Sequence, residues 1–275
     1  MSFRRVIIGL LCLAGLAVVL DFGTAAYSEY RVSRLLREGS DLSADPEVTF
    51  RGFPFVAQAV DGTYDDIYIR ARARRPDIPG EIQIESNLYG VRLPLGDLAD
   101  GRVRMVPVDE VQASMHIEPI ELGRLFRIPD LQVFGPPADK SDGSGGSGGT
   151  GMTTSGAIIL TGTVPPRVDT PPGSSSTEKG QLVSVLADLR LDADGQIQIV
   201  ATEIYHGEEA TATPVAVLPA VPTEMILGWF TRTIDTRDLP FGIRPTKVEA
   251  VGGQIVVEGR GRDVTIDLDH LQRQQ

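Results

Sequence analysis

The sequence predicts an α+β protein: a body of antiparallel β-sheet carrying a few helices, behind a hydrophobic N-terminal helix. Arg4 and Arg5 open onto an unbroken apolar run over residues 6–20. Beyond Val48, hydrophobicity alternates with a period of two through most of the chain, the signature of strands with one buried face. Helical spacing is confined to residues 27–37 and 222–236.

A short basic region followed by an apolar run reads as a secretory signal or a signal-anchor. As a helix, residues 6–20 rise about 22 Å, short of a hydrocarbon core about 30 Å thick. Continuing to Ala26 makes a crossing possible and sets Asp21 near the outer interface. Thr24, Ala25 and Ala26 also offer small residues for cleavage, so residues 1–26 read as a signal-anchor or a signal peptide. By the positive-inside rule the arginines stay in the cytoplasm. The expected location is the cell membrane, with one span and the body outside the cytoplasm, or the cell envelope if the segment is removed. Cys12, the only cysteine, follows Leu11 rather than the small residue that lipoprotein processing wants, and reads as an apolar residue of the span.

Residues 27–37 then read as a short helix, with Gly39 as its stop. In the next segment Ile67, Ile69, Ala71 and Ala73 face one way, and Tyr68, Arg70, Arg72 and Arg74 the other. The same alternation sets Ile82, Ile84 and Leu88 against Glu81, Gln83, Glu85 and Asn87. It recurs with Val111, Ala113, Met115 and Ile117 against Gln112, Ser114, His116 and Glu118. Residues 138–156 are Gly-, Ser- and Asp-rich, and 165–180 are polar and rich in Pro and Ser, with one strand expected between them at 157–164. Strands at 181–191 and 196–202 flank Asp194-Gly195, a hairpin signal. For the helix at 222–236, Thr223 is the expected cap, and Met225, Ile226, Trp229, Phe230 and Thr233 form its stripe. A hairpin over 246–259 turns at Gly252-Gly253, and 263–268 adds a last strand. Residues 27–275 are expected to form a single domain, with a flexible Gly/Ser-rich insertion at about 138–180.

Several function classes are excluded by composition. A formal net charge of −11 argues against nucleic acid, whose phosphates need clustered Lys and Arg. A body without cysteine has no disulfide scaffold, Cys-ligated zinc or thiol nucleophile. His116, His206 and His270 stand in unrelated contexts, and no nucleophile elbow, zinc-protease, P-loop or dinucleotide motif occurs. Asp65-Asp66 and Glu208-Glu209 are neighbours, which on a strand point to opposite faces. Asp192 and Asp194 lack the further ligands of a calcium loop. No catalytic residue, metal or cofactor is expected, and the chain does not read as an enzyme. What remains is a long apolar strand face. It is either an ordinary core or a dry groove for acyl chains, which would gain about 0.8 kcal/mol per buried methylene. The pattern alone leaves both open.

Two segments carry a family resemblance. One is Val48-Thr49-Phe50-Arg51-Gly52-Phe53-Pro54-Phe55-Val56-Ala57-Gln58, followed by Gly62 and the strand at Ile67. The other is Asp238-Leu239-Pro240-Phe241-Gly242-Ile243-Arg244, followed by Val248 and the hairpin through Gly252-Gly253 to Gly259-Arg260-Gly261. With the anchor, Asp21, Gly23 and the Glu/Arg-rich helix beyond, the chain resembles the actinobacterial LmeA family of phospholipid-binding cell-envelope proteins. The segment 138–180 is longer than the family pattern, and no residue is carried over there. The resemblance implies a highly curved antiparallel sheet wrapped round a long helix, similar to the tubular, BPI-like lipid-binding folds. It also implies a membrane-tethered or secreted protein that binds phospholipid and supports lipoglycan or mannan assembly. Candidate lipid-contacting residues are Phe53, Phe55, Ile67, Ile69, Ile82, Ile84, Leu88, Met115, Trp229, Phe230 and Phe241. Phe53 and Phe55 would share a face if extended, plugging one end of the core or touching lipid, and Pro240-Phe241 would form a similar plug. The rival reading is a structural or protein-interaction domain of the envelope with a solid core and no ligand; a glycolipid-modifying enzyme lacks its motifs.

Overall fold

The computed structural model describes residues 2–38, 42–75, 78–94, 96, 105–135, 156–165, 180–206, 221–237 and 239–267. Gly39, most of the insertion at 138–180, Glu208-Glu209, Asp238, Leu268 and His270 lie outside them. The class is α+β, with an N-terminal helix and two antiparallel sheets rather than one.

Helix α1 runs unbroken from Ser2 to Glu38. The apolar run and the expected short helix at 27–37 are therefore one element. No proline interrupts it, and Asp21, which looks like a break, finds partners elsewhere in the fold. Strands β1 (Glu47–Arg51), β2 (Thr63–Arg74), β3 (Glu81–Arg92) and β4 (Met105–Ile117) follow, with α2 (Phe55–Asp61) between β1 and β2. After α3 (Pro119–Phe126) come β5 (Gln132–Phe134), β6 (Gly156–Val164), β7 (Gln181–Leu191) and β8 (Ile197–Ile204). Helix α4 (Thr223–Trp229), β9 (Arg232–Ile234), a 3₁₀ turn (Pro240–Gly242), β10 (Pro245–Val251) and β11 (Gln254–Asp267) complete the chain.

The larger sheet has the order β1-β2-β3-β4-β11-β10, and the smaller β5-β6-β7-β8-β9. Register follows the apolar pattern: Val48 lies opposite Ile69 and Phe50 opposite Ile67, and Ile158, Leu160 and Gly162 face Ala187, Val185 and Val183. Gly252 and Gly253 (φ 58° and 84°) close the β10–β11 hairpin between Val251 and Gln254, the left-handed pair that a tight two-residue turn requires. At the β7–β8 turn Asp192 accepts the N–H groups of Asp194 and Gln196 through Oδ1.

Two expectations change here. The helix predicted over 222–236 ends at Trp229, and β-branched Thr233 and Ile234 join an edge strand beside β8 instead. Thr223 is its first helical residue rather than its cap; Pro222 holds the cap position without a side-chain bond. The separate strand expected at 263–268 is the end of β11, which crosses the polar stretch Arg260-Gly261-Arg262 unbroken.

The chain divides into two compact units. The first comprises Met1–Ala73, Glu85–Ala113 and Arg260–Gln275; the second comprises Arg74–Ile84 and Ser114–Gly259. In the first, α1 covers the free edge of β1. Phe50 donates its N–H to Glu29 Oε1 (2.9 Å), and Ser33 Oγ donates to the Pro46 carbonyl (2.6 Å). An edge strand left open would be a template for a foreign strand, and the helix removes that hazard. In the second unit, Leu122 and Phe126 of α3, Ile226 of α4 and Phe230 just after it are buried along with the inward faces of β6, β7 and β8. Thr161 and Ser184 share a hydrogen bond of 2.8 Å inside this apolar layer.

Candidate functional site

In the first unit, Val48, Phe50, Ile67, Ile69, Ala71, Leu88, Val91, Val106, Val108, Val111 and Ala113 form the buried strand face. No charged side chain of the described strands joins them there; Ser86 and the Tyr64 hydroxyl are the polar exceptions. The face survives a change of phase. Buried positions step by two to Leu88 and then jump to Val91, and step by two to Val108 and then jump to Val111. Gly90, at φ 63°, makes the jump on β3, and a Cβ there would fall on the side chain of Asp109. The slip keeps Leu88 and Val91 of β3, and Val108 and Val111 of β4, all buried.

At one end of this face Phe50, Phe55 and Tyr64 pack ring to ring, with centroids 4.9 to 5.9 Å apart. The Tyr64 hydroxyl is buried without a hydrogen-bond partner, and burial raises its pKa. An unpaired hydroxyl in an apolar interior forfeits the hydrogen bonds it made in water. The outer face is the opposite in character. Arg51 and Arg70 stack over the Tyr68 ring (4.5 and 5.6 Å), and Arg70 pairs with Glu85 and Glu47. Desolvation, then the neighbouring Glu85, pushes the Tyr68 phenol up.

Helix α2 begins at Phe55 behind Pro54, whose side chain cannot cap it. Asp21 of α1 does so instead: Oδ2 accepts the Phe55 N–H (3.0 Å) and Oδ1 the Val56 N–H (2.7 Å). The carboxylate is 6% exposed. A charged acceptor on two otherwise orphaned helix donors is among the stronger hydrogen-bond arrangements available.

The sequence-derived candidates fall out as follows. Phe55, Ile67, Ile69 and Leu88 are buried in the first unit, and Ile82, Met115 and Phe230 in the second. Ile84, Trp229 and Phe241 are half-buried in the second. Phe53 and Phe55 do not share a face. The peptide between Phe53 and Pro54 is cis, the chain turns into α2, and Phe53 is 65% exposed while Phe55 is 3% exposed. Phe53 stacks on Phe22 of α1 instead, centroids 6.3 Å apart. At Pro240–Gly242 the buried side chains are the flanking Leu239 and Ile243, while Phe241 holds a left-handed backbone. Among the described residues no cluster of His, Cys, Asp or Glu is arranged to hold a metal ion. His116 is half-buried, with Nε2 3.2 Å from Ser114 Oγ and Nδ1 3.4 Å from Gln254 Oε1.

The first motif segment, nearly all of the second, the later half of α1 and the apolar strand face lie within the stretch that the family model for LmeA-like phospholipid-binding proteins matches, residues 19–260. The chain belongs to this family. Comparison with curated proteins and with solved structures returns no match. The LmeA-like match begins just before Asp21, so it covers this position and leaves most of the apolar run outside it. Asp21, Glu29 and Tyr64 are the residues that sequence reasoning missed as contributors. An isolated carboxylate ending an apolar run was the one available signal, and only for Asp21.

Proposed function

We propose that this LmeA-like chain binds phospholipid in the cell envelope, held at the membrane by a retained α1 with its body outside the cytoplasm. The family match over residues 19–260 carries this reading. The charge-free strand face in the first unit supports it, because acyl chains need dry apolar surface and no polar group to hold them. The candidate contacts are Ile67, Ile69 and Leu88 in the first unit and Ile82, Ile84, Met115, Trp229, Phe230 and Phe241 in the second. The curved sheet round a helix, one continuous domain over 27–275, and a part in lipoglycan or mannan assembly belong to the same proposal. No catalysis is assigned.

Native mass spectrometry of the full chain, released from detergent, tests it. Wild type should retain phospholipid, as should Arg72→Ala on the outer face. Ala113→Leu and Ala71→Leu separate a lipid-filled interior from a packed one. If lipid occupies the face, the larger side chain displaces it, and retention falls while stability changes little. In a packed core it would destabilise by about 1–3 kcal/mol. Unchanged lipid content with clear destabilisation would overturn the proposal.

A further inference from the structure

Outside α1, the first unit leaves a short run of apolar side chains open: Phe53 is 65% exposed, Val56 42% and Val60 76%. They are not scattered. Val56 and Val60 are one turn apart on α2 and share a helix face. Phe53 stacks on Phe22, and the Val56 N–H is held by Asp21, so the group is tied to one level of α1. That level can be counted. A bilayer core of about 30 Å takes about 20 helical residues. A span that starts at Val6, just past Arg4 and Arg5 at the inner boundary, ends near Ala25, which places Phe22 in its last outer turn.

We propose that Phe53, Val56 and Val60 form a second membrane contact, a collar seated in the outer headgroup boundary beside the point where α1 emerges. The inference rests on the retained-anchor reading of α1. It commits to a lipid surface as the occupant because the patch is continuous, through the Phe22–Phe53 stack, with helix surface that lipid already covers. The boundary region favours aromatic and apolar side chains presented on an amphipathic element. The Asp21 pairing fits the same position. A bare carboxylate at the edge of the hydrocarbon would be costly, whereas this one faces two peptide N–H groups that α2 supplies. On this account α2 serves both sides, shielding the charge and adding the contact.

The full chain with Cys12→Ser, reconstituted in phosphatidylcholine–phosphatidylglycerol vesicles, carries one environment-sensitive fluorophore at a time. The label is placed through Val60→Cys, Leu13→Cys or Arg72→Cys, all at exposed positions, so none disturbs packing. The proposal expects the Val60 label to be quenched by shallow spin-labelled lipid, with iodide quenching reduced several-fold relative to Arg72. The Leu13 label should respond to deep spin-labelled lipid only. A lipid-quenched Leu13 label beside a Val60 label as open to iodide as Arg72 would overturn the collar and leave the anchor standing. A Val60 label shielded from iodide but untouched by lipid quenchers would put protein on the patch, and also overturn it. A Leu13 label open to iodide would remove the anchor, and the collar with it. As a second measurement, Val60→Asp in the background of a labelled Val56→Cys should raise iodide quenching at position 56 several-fold, and no change would count against the collar.

Discussion

Asp21 shows how a single side chain can be misread from its neighbours. Within the apolar run it looks like an interruption; in the fold its two oxygens complete α2. Asp21→Ala leaves two donors without their acceptor and should destabilise the protein by about 1–3 kcal/mol, whereas Asp21→Asn, with one carbonyl oxygen, should lose less. Thermal denaturation in a mild detergent reads both. Thr161 and Ser184 make the complementary case, a buried pair whose partners are each other. Thr161→Val should cost about 1–3 kcal/mol by orphaning the Ser184 hydroxyl, and the double change Thr161→Val with Ser184→Ala should recover most of it. Asp235 gives the acid-side prediction. The hydrogen bond from Arg237 holds its carboxyl down from 3.8 to about 2. The folded state therefore binds its proton later than the unfolded chain does. The contribution is whole above the ordinary value and is lost as pH falls toward about 2. Asp235→Asn should remove that contribution, lowering neutral stability slightly and flattening the acid unfolding curve over that interval.

Whether an element was legible in the sequence depended on whether it exposes one face to water. β2 and the first half of β3 alternate strictly, with Ile67, Ile69 and Ala71 inside and Arg70 and Arg72 outside, and their pattern reads directly. The slip at Gly90 and Asp109 hides the rest, since two alternating runs out of phase do not look like one strand. Gly90→Ala should cost about 2 kcal/mol, because the new side chain needs a left-handed backbone and the space Asp109 occupies; chemical denaturation would measure it. β5 and β9 have only three residues each, too short for any period, and exist because a neighbouring strand offers them a ladder. Helices α2 and α3 are missed for the same reason, being too short to show a stripe before the strand pattern resumes. Of the candidate site, the inward strand residues were legible and the Phe53–Phe55 pair was not, because nothing in the composition signals that the chain turns at Pro54. The unbroken course of α1 past Ala25 and Ala26 bears on processing. Cleavage after Ala26 would carry away Asp21 and Phe22, uncapping α2 and unstacking Phe53. Intact-mass measurement of membrane-extracted protein should find residues 1–26 still attached.

At the scale of the whole molecule, a reporter fused after Gln275 should be active only in a form that works outside the cytoplasm; strong activity of a cytoplasm-only reporter would reverse the assigned topology. A tether is ordinarily imagined as slack. Were the sixteen residues from Gly23 to Glu38 a flexible linker, their ends would wander about 20 Å apart in any direction, and the body could swing toward whatever it serves. As continued helix they rise about 24 Å along one axis and allow no swing. Glu29 and Ser33 fasten that stalk to β1 and to the carbonyl of Pro46 along its length. With α1 retained as the span, as proposed, the first unit is mounted at fixed height and heading over its own patch of leaflet. On the proposed lipid-binding reading, such a mount makes the protein a stationary berth rather than a ferry, with lipid arriving and leaving by diffusion within the membrane or by hand-over from a partner that comes to it.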